Sequence, residues 1–303
     1  MRERLLPEAF VRSREALNKT WTESEAEAYT RWLATHHYEN FHIVSFLLPK
    51  DLHQDFYNVY SFCRWADDLG DEIGDSRKTL ELLSWWRELL DAMYDGRTQH
   101  PVFVALQKTA DRRRLPKQPF SDLITAFVHD QSVTRYQTWE DVFYYCRHSA
   151  NPVGRLVLYL CGYSDSERQK LSDATCTALQ LANFWQDVSI DLRKDRVYIP
   201  LEVMDRHGCA IEDLLAGKET AAFQSVMKEV VDRARVLFHE GLPLCRMVDR
   251  RLSLDLDLIS RGGLLVLDKI ERRNYRVLHD RPAIGKVERA GLLLGSLARV
   301  MLP

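Results

Sequence analysis

Residues 181–191 read Leu-Ala-Asn-Phe-Trp-Gln-Asp-Val-Ser-Ile-Asp. Asn183, Asp187 and Asp191 recur at four-residue steps. On a helix that spacing stacks one amide and two carboxylates along one face over about two turns. The positions between them are large and apolar: Leu181, Phe184, Trp185 and Val188. The polar row therefore rides on a helix that also faces a core. A second row lies upstream in Asp67-Asp68-Leu69-Gly70-Asp71-Glu72. Asp67 and Asp71 are four apart, Asp68 and Glu72 repeat the step beside them, and Phe62, Trp65 and Ala66 supply the apolar neighbourhood.

Working outward, the rest of the chain is written for helices. The 303 residues are 46% hydrophobic and 28% charged, ordinary for a globular protein with a substantial core. Glycine (13) and proline (10) are sparse, which disfavours a turn-rich sandwich or barrel. A net charge of −2 gives no general field for nucleic acid. Six cysteines, at 63, 146, 161, 176, 209 and 245, form no CxxC pair and no zinc spacing, so they read as reduced thiols of a cytosolic protein. No signal-peptide pattern opens the chain, and no apolar run reaches the roughly 18–20 residues of a spanning helix.

Helical spacing predicts one domain over 1–303, with 1–20 as a flexible N-terminal extension. Thr22 with Glu25 forms a capping box for a helix to Thr35. Helices follow over about Asp51–Gly70, from Asp75-Ser76 to Tyr94, and from Pro119-Ser121 to Val133. Thr138 caps one that runs to Gly162, kinked at Asn151-Pro152 because proline removes a backbone donor. Asp165 begins a long helix to about Leu192. Short pieces at Leu201–His207 and Ile211–Leu215 precede helices over Ala221–His239, Ser253–Asn274 and Ile284–Val300.

Carboxylates stacked among apolar side chains repel one another, and burial aggravates the repulsion. A cation should offset it. Mg²⁺ suits the task, since it takes oxygen ligands and binds through a few carboxylates together with phosphate. One such row could equally be a solvated acidic face. Two rows, each among large apolar residues and one carrying Asn183 in register, favour the metal. Arg64 precedes Asp67 by three residues, Arg193, Lys194 and Arg196 follow Asp191, and Arg281 lies further on. Guanidinium groups grip phosphate in a fork. Tyr60, Tyr145 and Tyr198 are pocket candidates, although spacing alone does not distinguish them from core tyrosines.

Taken together, these pieces resemble the squalene/phytoene synthase family, the head-to-head prenyl synthases. Tyr60-Ser61-Phe62-Cys63-Arg64 through Asp71 is similar to the family's first aspartate motif. Asn183 through Asp191, then Arg196-Val197-Tyr198-Ile199-Pro200, is similar to the second. Tyr145-Cys146 and Val153-Gly154 are similar to its central helix. The resemblance spans roughly Tyr38 to Arg281. It implies an all-α isoprenoid-synthase bundle around a central apolar cavity. It also implies that Asp67, Asp68, Asp71, Asn183, Asp187 and Asp191 ligate two or three Mg²⁺ ions with a prenyl diphosphate. Arg64, Arg196 and Arg281 would hold phosphate, with Tyr60, Tyr145 and Tyr198 lining the pocket near it.

Some positions depart from the family pattern. Ser149-Ala150-Asn151-Pro152 replaces a small Val-Ala-Gly segment, Gln186 stands for an arginine, Ile190 for an acidic residue, and Tyr38 for a serine. His37 to Phe41, Ser149 to Arg155 and Asn183 to Val188 are instead similar to a bacterial branch of the family. That branch takes presqualene diphosphate and water to hydroxysqualene without NADPH, in squalene and hopanoid biosynthesis. The expected chemistry is diphosphate loss assisted by Mg²⁺, then capture of the cation by one water. Tyr145, Asn151 and Tyr38 are candidates to place that water, with Gln186 beside the substrate and no NADPH expected. The alternatives are a synthase that condenses two prenyl diphosphates to presqualene diphosphate, dehydrosqualene or phytoene, and a non-catalytic helical assembly factor, which would have no use for two intact acidic rows. Expected partners are the prenyl diphosphate, a presqualene diphosphate synthase that supplies it, and an enzyme that reduces hydroxysqualene. The greasy substrate suggests peripheral contact with the inner face of the cytoplasmic membrane.

Overall fold

Polar side chains set the starts of five of the longer helices. Asp75 accepts the N–H groups of Arg77 and Lys78. Thr138 and Asp141 cap each other's backbone in a reciprocal box. Asp165 accepts from Arg168, Thr220 from Phe223, and Asp249 from Arg251 and Leu252. Each satisfies donors that a first helical turn leaves without a partner, worth about 1 kcal/mol apiece. Thr22 and Glu25 also form their predicted box, with Thr22 N–H donating to Glu25 Oε2 at 3.0 Å.

The computed structural model describes residues 5–36 and 49–301. In chain order their helices are α1 Pro7–Arg12, α2 Arg14–Asn18, α3 Glu23–His36, α4 His53–Asp71, α5 Ser76–Tyr94, α6 Pro101–Arg113, α7 Gln118–His129 and α8 Trp139–Ser149. Then come α9 Asn151–Leu160, α10 Ser166–Gln186, α11 Val188–Arg193, α12 Leu201–Arg206, α13 Ile211–Leu215, α14 Ala221–Gly241, α15 Arg250–Arg272 and α16 Lys286–Met301. Short 3₁₀ turns occupy Lys50–Leu52 and Leu242–Arg246. The fold is all-α, as the helical periodicity predicted. Among the described residues the sole β feature is an isolated parallel bridge between Arg135 and Val197.

Three features differ from the sequence expectation. The helix expected to run from Asp165 to Leu192 breaks at Asp187 (φ −104°, ψ 13°). There the Asp187 carbonyl accepts from both Ile190 and Asp191, at 2.8 and 2.9 Å, tightening the turn. At Asn151-Pro152 the expected kink is a one-residue interruption: Ala150 (φ −106°, ψ −49°) stays in the right-handed helical region but separates two helices, and Pro152, which has no N–H to give, sits in the first turn of the second. Helix α6 went unread in the sequence. Pro101 stands at its first position and Val102, Phe103, Leu106 and Ala110 form a buried stripe, but its cap is His100, whose Nδ1 accepts from Val102 N–H at 3.3 Å. Histidine is not among the usual cap residues.

The chain divides into two compact units, Met1–Ser132 with Arg155–Ser164, and Val133–Gly154 with Asp165–Pro303. In the first, α4 buries Phe56, Val59, Phe62, Trp65, Ala66 and Leu69. Trp65 stacks on Trp86 of α5 at 5.0 Å, and Phe62 meets Phe103 and Phe120 edge-on. Each such buried side chain contributes about 1.5–3 kcal/mol. Together they fix the rotation of α4, and so the direction in which Arg64, Asp67 and Asp71 leave it. In the second unit α10 packs against α14 and α15. The close approach requires glycine at Gly241, where a Cβ would overlap Thr175, and at Gly263, where it would overlap the Phe238 ring.

Helix α15 also buries a carboxylate that no ion pair explains. Asp255 is 5% exposed, and neither oxygen has a hydrogen-bond partner among the described residues. Burial, helped by the charge of Asp249, pushes its carboxyl up to about 7. An acid raised in the folded state binds more protons folded than unfolded, so stability falls as pH climbs from about 4 to about 7. Asp255→Asn is expected to remove that fall and to gain about 2 kcal/mol at pH 8, after discounting for partial solvation, with little gain at pH 4. Urea midpoints at the two pH values measure it, and an equal effect at both would sink the assignment.

Candidate active site

The second acidic row is assembled at the break between α10 and α11. Asn183 is exposed near the end of α10, Asp187 is half-buried at the junction, and Asp191 is half-buried in α11. Their backbones keep the four-residue step through the break, Asp187 N–H donating to Asn183 O and Asp191 N–H to Asp187 O, each at 2.9 Å. The guanidinium of Arg281 forks onto Asp187, with Nε on Oδ1 and Nη2 on Oδ2 at 3.2 Å. Hydrogen bonding to that carboxylate raises the Arg281 pKa further. The arginine is delivered by its neighbour, because the Pro282 carbonyl accepts from Gln186 Nε2. Gln186, expected beside the substrate, is thus buried and committed to anchoring the segment that carries Arg281.

Asp191 has no such ion pair among the described residues. Burial and then the charge of Asp187 push it up to about 6, against the pull of Lys194 and Arg196. Asp191, Arg196, Tyr198 and Phe184 together line a cleft of about 10 Å³, room for a single water. Tyr198 stacks flat on Phe184 at 3.7 Å and lies 5.4 Å from Tyr136 and 5.8 Å from Tyr145. Its hydroxyl is 3.5 Å from Arg196 Nη1. Asn151 is buried, its Oδ1 accepting from Thr177 Oγ1 at 2.9 Å. Sequence reasoning missed Tyr136 and Thr177. Tyr136 joins this wall because residues 134–137 pair with 197–202, Val197 N–H donating to Thr134 O and Leu201 N–H to Tyr136 O. That pairing spans more than sixty residues and leaves no local signal.

In the first unit, Arg64 reaches Asp67 Oδ2 at 3.2 Å and Asp68 Oδ1 at 2.5 Å. The contact with Asp68 lacks the alignment of a hydrogen bond, and Arg64 Nε is buried without a partner among the described residues. Asp68 is pushed up to about 6 by its burial, against the pull of Arg64, with the charges of Asp67 and Glu72 adding to the rise. Asp67 is half-buried and Asp71 exposed. Tyr60, also half-buried, is raised by its burial. Tyr38 lies outside the described residues.

Among the described residues no three His, Cys, Asp or Glu side chains converge into a closed metal cage. Mg²⁺ does not require one, because it binds through one or two carboxylates and completes its shell with water and substrate phosphate. Each unit offers that donor set. Each has a carboxylate that burial has raised (Asp68, Asp191), where a cation would favour the charged form, beside one that currently holds an arginine (Asp67, Asp187). The residues fit Mg²⁺ shared with a phosphate ligand.

Residues 34–288 match the family model described as squalene/phytoene synthase. The chain belongs to the squalene/phytoene synthase family. It is an isoprenoid-synthase enzyme. It is 38% identical over 247 residues to hydroxysqualene synthase of Rhodopseudomonas palustris, covering 79% of this chain and 82% of that one. It is 31% identical over 258 residues to phytoene synthase of Thermus thermophilus, covering 85% and 87%. Among solved structures, squalene synthase HpnC from Alicyclobacillus acidocaldarius superposes with a TM-score of 0.81 at 43% identity, over 84% of this chain and 96% of that one.

Proposed function

We propose that this enzyme of the squalene/phytoene synthase family converts presqualene diphosphate and water into hydroxysqualene and diphosphate, with Mg²⁺ as cofactor and no NADPH. One observation carries the reading of the site: Arg281 sits on Asp187, next to an Asp191 that burial raises and that has no ion pair among the described residues. A guanidinium parked on a metal-binding carboxylate can transfer to phosphate when a cation takes the carboxylate. When bound, Mg²⁺ supplies Lewis-acid withdrawal of charge from the leaving diphosphate. Arg281 and Arg196 orient that group and stabilise the charge it gains as the carbon–oxygen bond breaks. The aromatic wall of Tyr136, Tyr145, Phe184 and Tyr198 excludes bulk water from the cation left behind. The oxygen of one water forms the new bond to carbon, and its proton passes to the departing diphosphate.

The product assignment rests on the segments Ser149 to Arg155 and Asn183 to Val188 and on the 38% identity to the Rhodopseudomonas enzyme. The relative named phytoene synthase supports a second reading, condensation of two prenyl diphosphates. Incubation with presqualene diphosphate and Mg²⁺ in ¹⁸O-water should give hydroxysqualene two mass units heavier. Chelation should stop the reaction. Farnesyl diphosphate or geranylgeranyl diphosphate alone should give no C30 or C40 product, and a product from either would overturn the assignment. The pathway reading then requires one enzyme that supplies presqualene diphosphate and another that reduces the alcohol.

A further inference from the structure

Helix α16 is built the wrong way round for a surface helix. Its inner face is tethered to α15: Lys269 Nζ meets Glu288 at 2.6 Å, Arg299 Nη2 meets Asp257 at 2.8 Å, and Ser296 is buried. These ties set the opposite face outward. That face consists of Val287, Ala290, Gly291, Leu294 and Ala298, spaced three, four, seven and eleven residues from the first, and it carries no charge. Val287 is 86% exposed and Leu294 68%. A helix on a water-facing surface normally turns its charged stripe outward.

The charge beside this stripe is one-sided. Every acidic residue between 268 and 288 is already paired: Asp268 and Glu271 with Arg235, Asp280 with Arg273, and Glu288 with Lys269. Arg272, Arg276, Lys286 and Arg289 are exposed and make no ion pair among the described residues. Arg272 is close enough to act on the Glu288 carboxyl, which places it at the start of α16. Arg272, at the start of α16, and Lys286 and Arg289, within its first turn, thus set exposed positive charge beside a bare apolar stripe in a chain whose net charge is −2.

A second copy of the chain is a poor occupant. A 16-residue helix is about 24 Å long, so one face about 10 Å wide offers roughly 240 Å², against about 800 Å² per partner in a stable complex. Like charges would also meet across such an interface. Among the described residues no helix is long and apolar enough to cross a membrane. An amphipathic helix with basic flanks lies in the interface of a bilayer, its apolar side in the acyl boundary and its cations among anionic headgroups. We infer that α16 docks the enzyme on an anionic lipid surface through Val287, Ala290, Leu294 and Ala298, with Arg272, Lys286 and Arg289 on the headgroups. This docking does not depend on which prenyl diphosphate the enzyme takes.

Vesicle co-sedimentation tests it. The full chain should bind vesicles of 30% phosphatidylglycerol in phosphatidylcholine at least tenfold more tightly than pure phosphatidylcholine, and 0.5 M salt should erase the difference. Val287→Glu/Leu294→Glu should weaken binding more than tenfold. Lys286→Ala/Arg289→Ala should weaken it about 25-fold, from roughly fivefold per cation. Both pairs should keep wild-type turnover in detergent, since neither touches the acidic rows. Should the glutamate pair unfold the helix by circular dichroism, Val287→Ser/Leu294→Ser must show the same loss. Equal binding to neutral and anionic vesicles overturns the inference. So does wild-type binding by the folded variants, or a dimer by light scattering that the glutamate pair dissolves.

Discussion

Asp187→Ala is expected to lower turnover by about 10²–10³-fold or more while leaving the protein folded. The size follows from the proposed role of Asp187: it would hold the Mg²⁺ that offsets the negative charge developing on the leaving diphosphate, an electrostatic contribution worth roughly 3–4 kcal/mol of barrier. The fold survives because the carboxylate has little structural work. It makes no capping hydrogen bond to α11, and its ion pair is partly exposed on both sides, 44% for Arg281 and 26% for Asp187. Such pairs contribute about 1 kcal/mol or less. Two effects on one residue can therefore be separated. Activity should collapse, the Mg²⁺ concentration for half-maximal residual rate should rise, and the thermal midpoint should move by only a few degrees. Arg281→Ala should instead leave the metal requirement nearly unchanged and weaken diphosphate inhibition. Undiminished turnover in Asp187→Ala would remove this carboxylate from the mechanism.

Asp55→Ala is expected to cost about 3–5 kcal/mol of stability, the largest loss anticipated from a single polar side chain here. Asp55 lies in the first turn of α4 and is fully buried. It accepts from Arg113 Nε at 2.8 Å, from Thr109 Oγ1 at 2.8 Å and from Arg112 Nη2, all in the last two turns of α6. A carboxylate at a helix start and cations at a helix end both suit the helix dipoles. Truncation leaves Arg113 and the buried Thr109 hydroxyl without their acceptor, which costs more than the ion pair is worth intact. At 2–4 °C per kcal/mol, the midpoint should fall by about 10 °C. Asp55→Asn, which keeps the shape and one acceptor, should cost less. Because α4 also carries Arg64, Asp67 and Asp71, loosening its start should raise KM for the diphosphate before the protein melts. A midpoint within 2 °C of wild type would show that the arginines find other partners.

Local chemistry made most of the helices readable. Capping pairs such as Thr138 with Asp141, apolar stripes such as Phe56 to Leu69, and the four-residue spacing of the acidic rows are properties of neighbouring residues, and a helix displays them at once. The same locality explains the failures. Helix α6 was hidden behind a histidine cap. The row from Asn183 to Asp191 hid a backbone break, because the step that defines it survives in the hydrogen bonds across Asp187.

By itself the sequence determined the helical class, the two acidic rows and the family motifs that contain them, since each depends on residues within two turns of one another. Only the tertiary structure decided what those groups meet: that Gln186 holds Pro282, that Arg281 rests on Asp187, that Tyr136 joins the wall of Tyr145 and Tyr198, and that the bare side of α16 faces outward. Those contacts join segments tens of residues apart. They are set by how helices pack, which spacing along the chain does not encode.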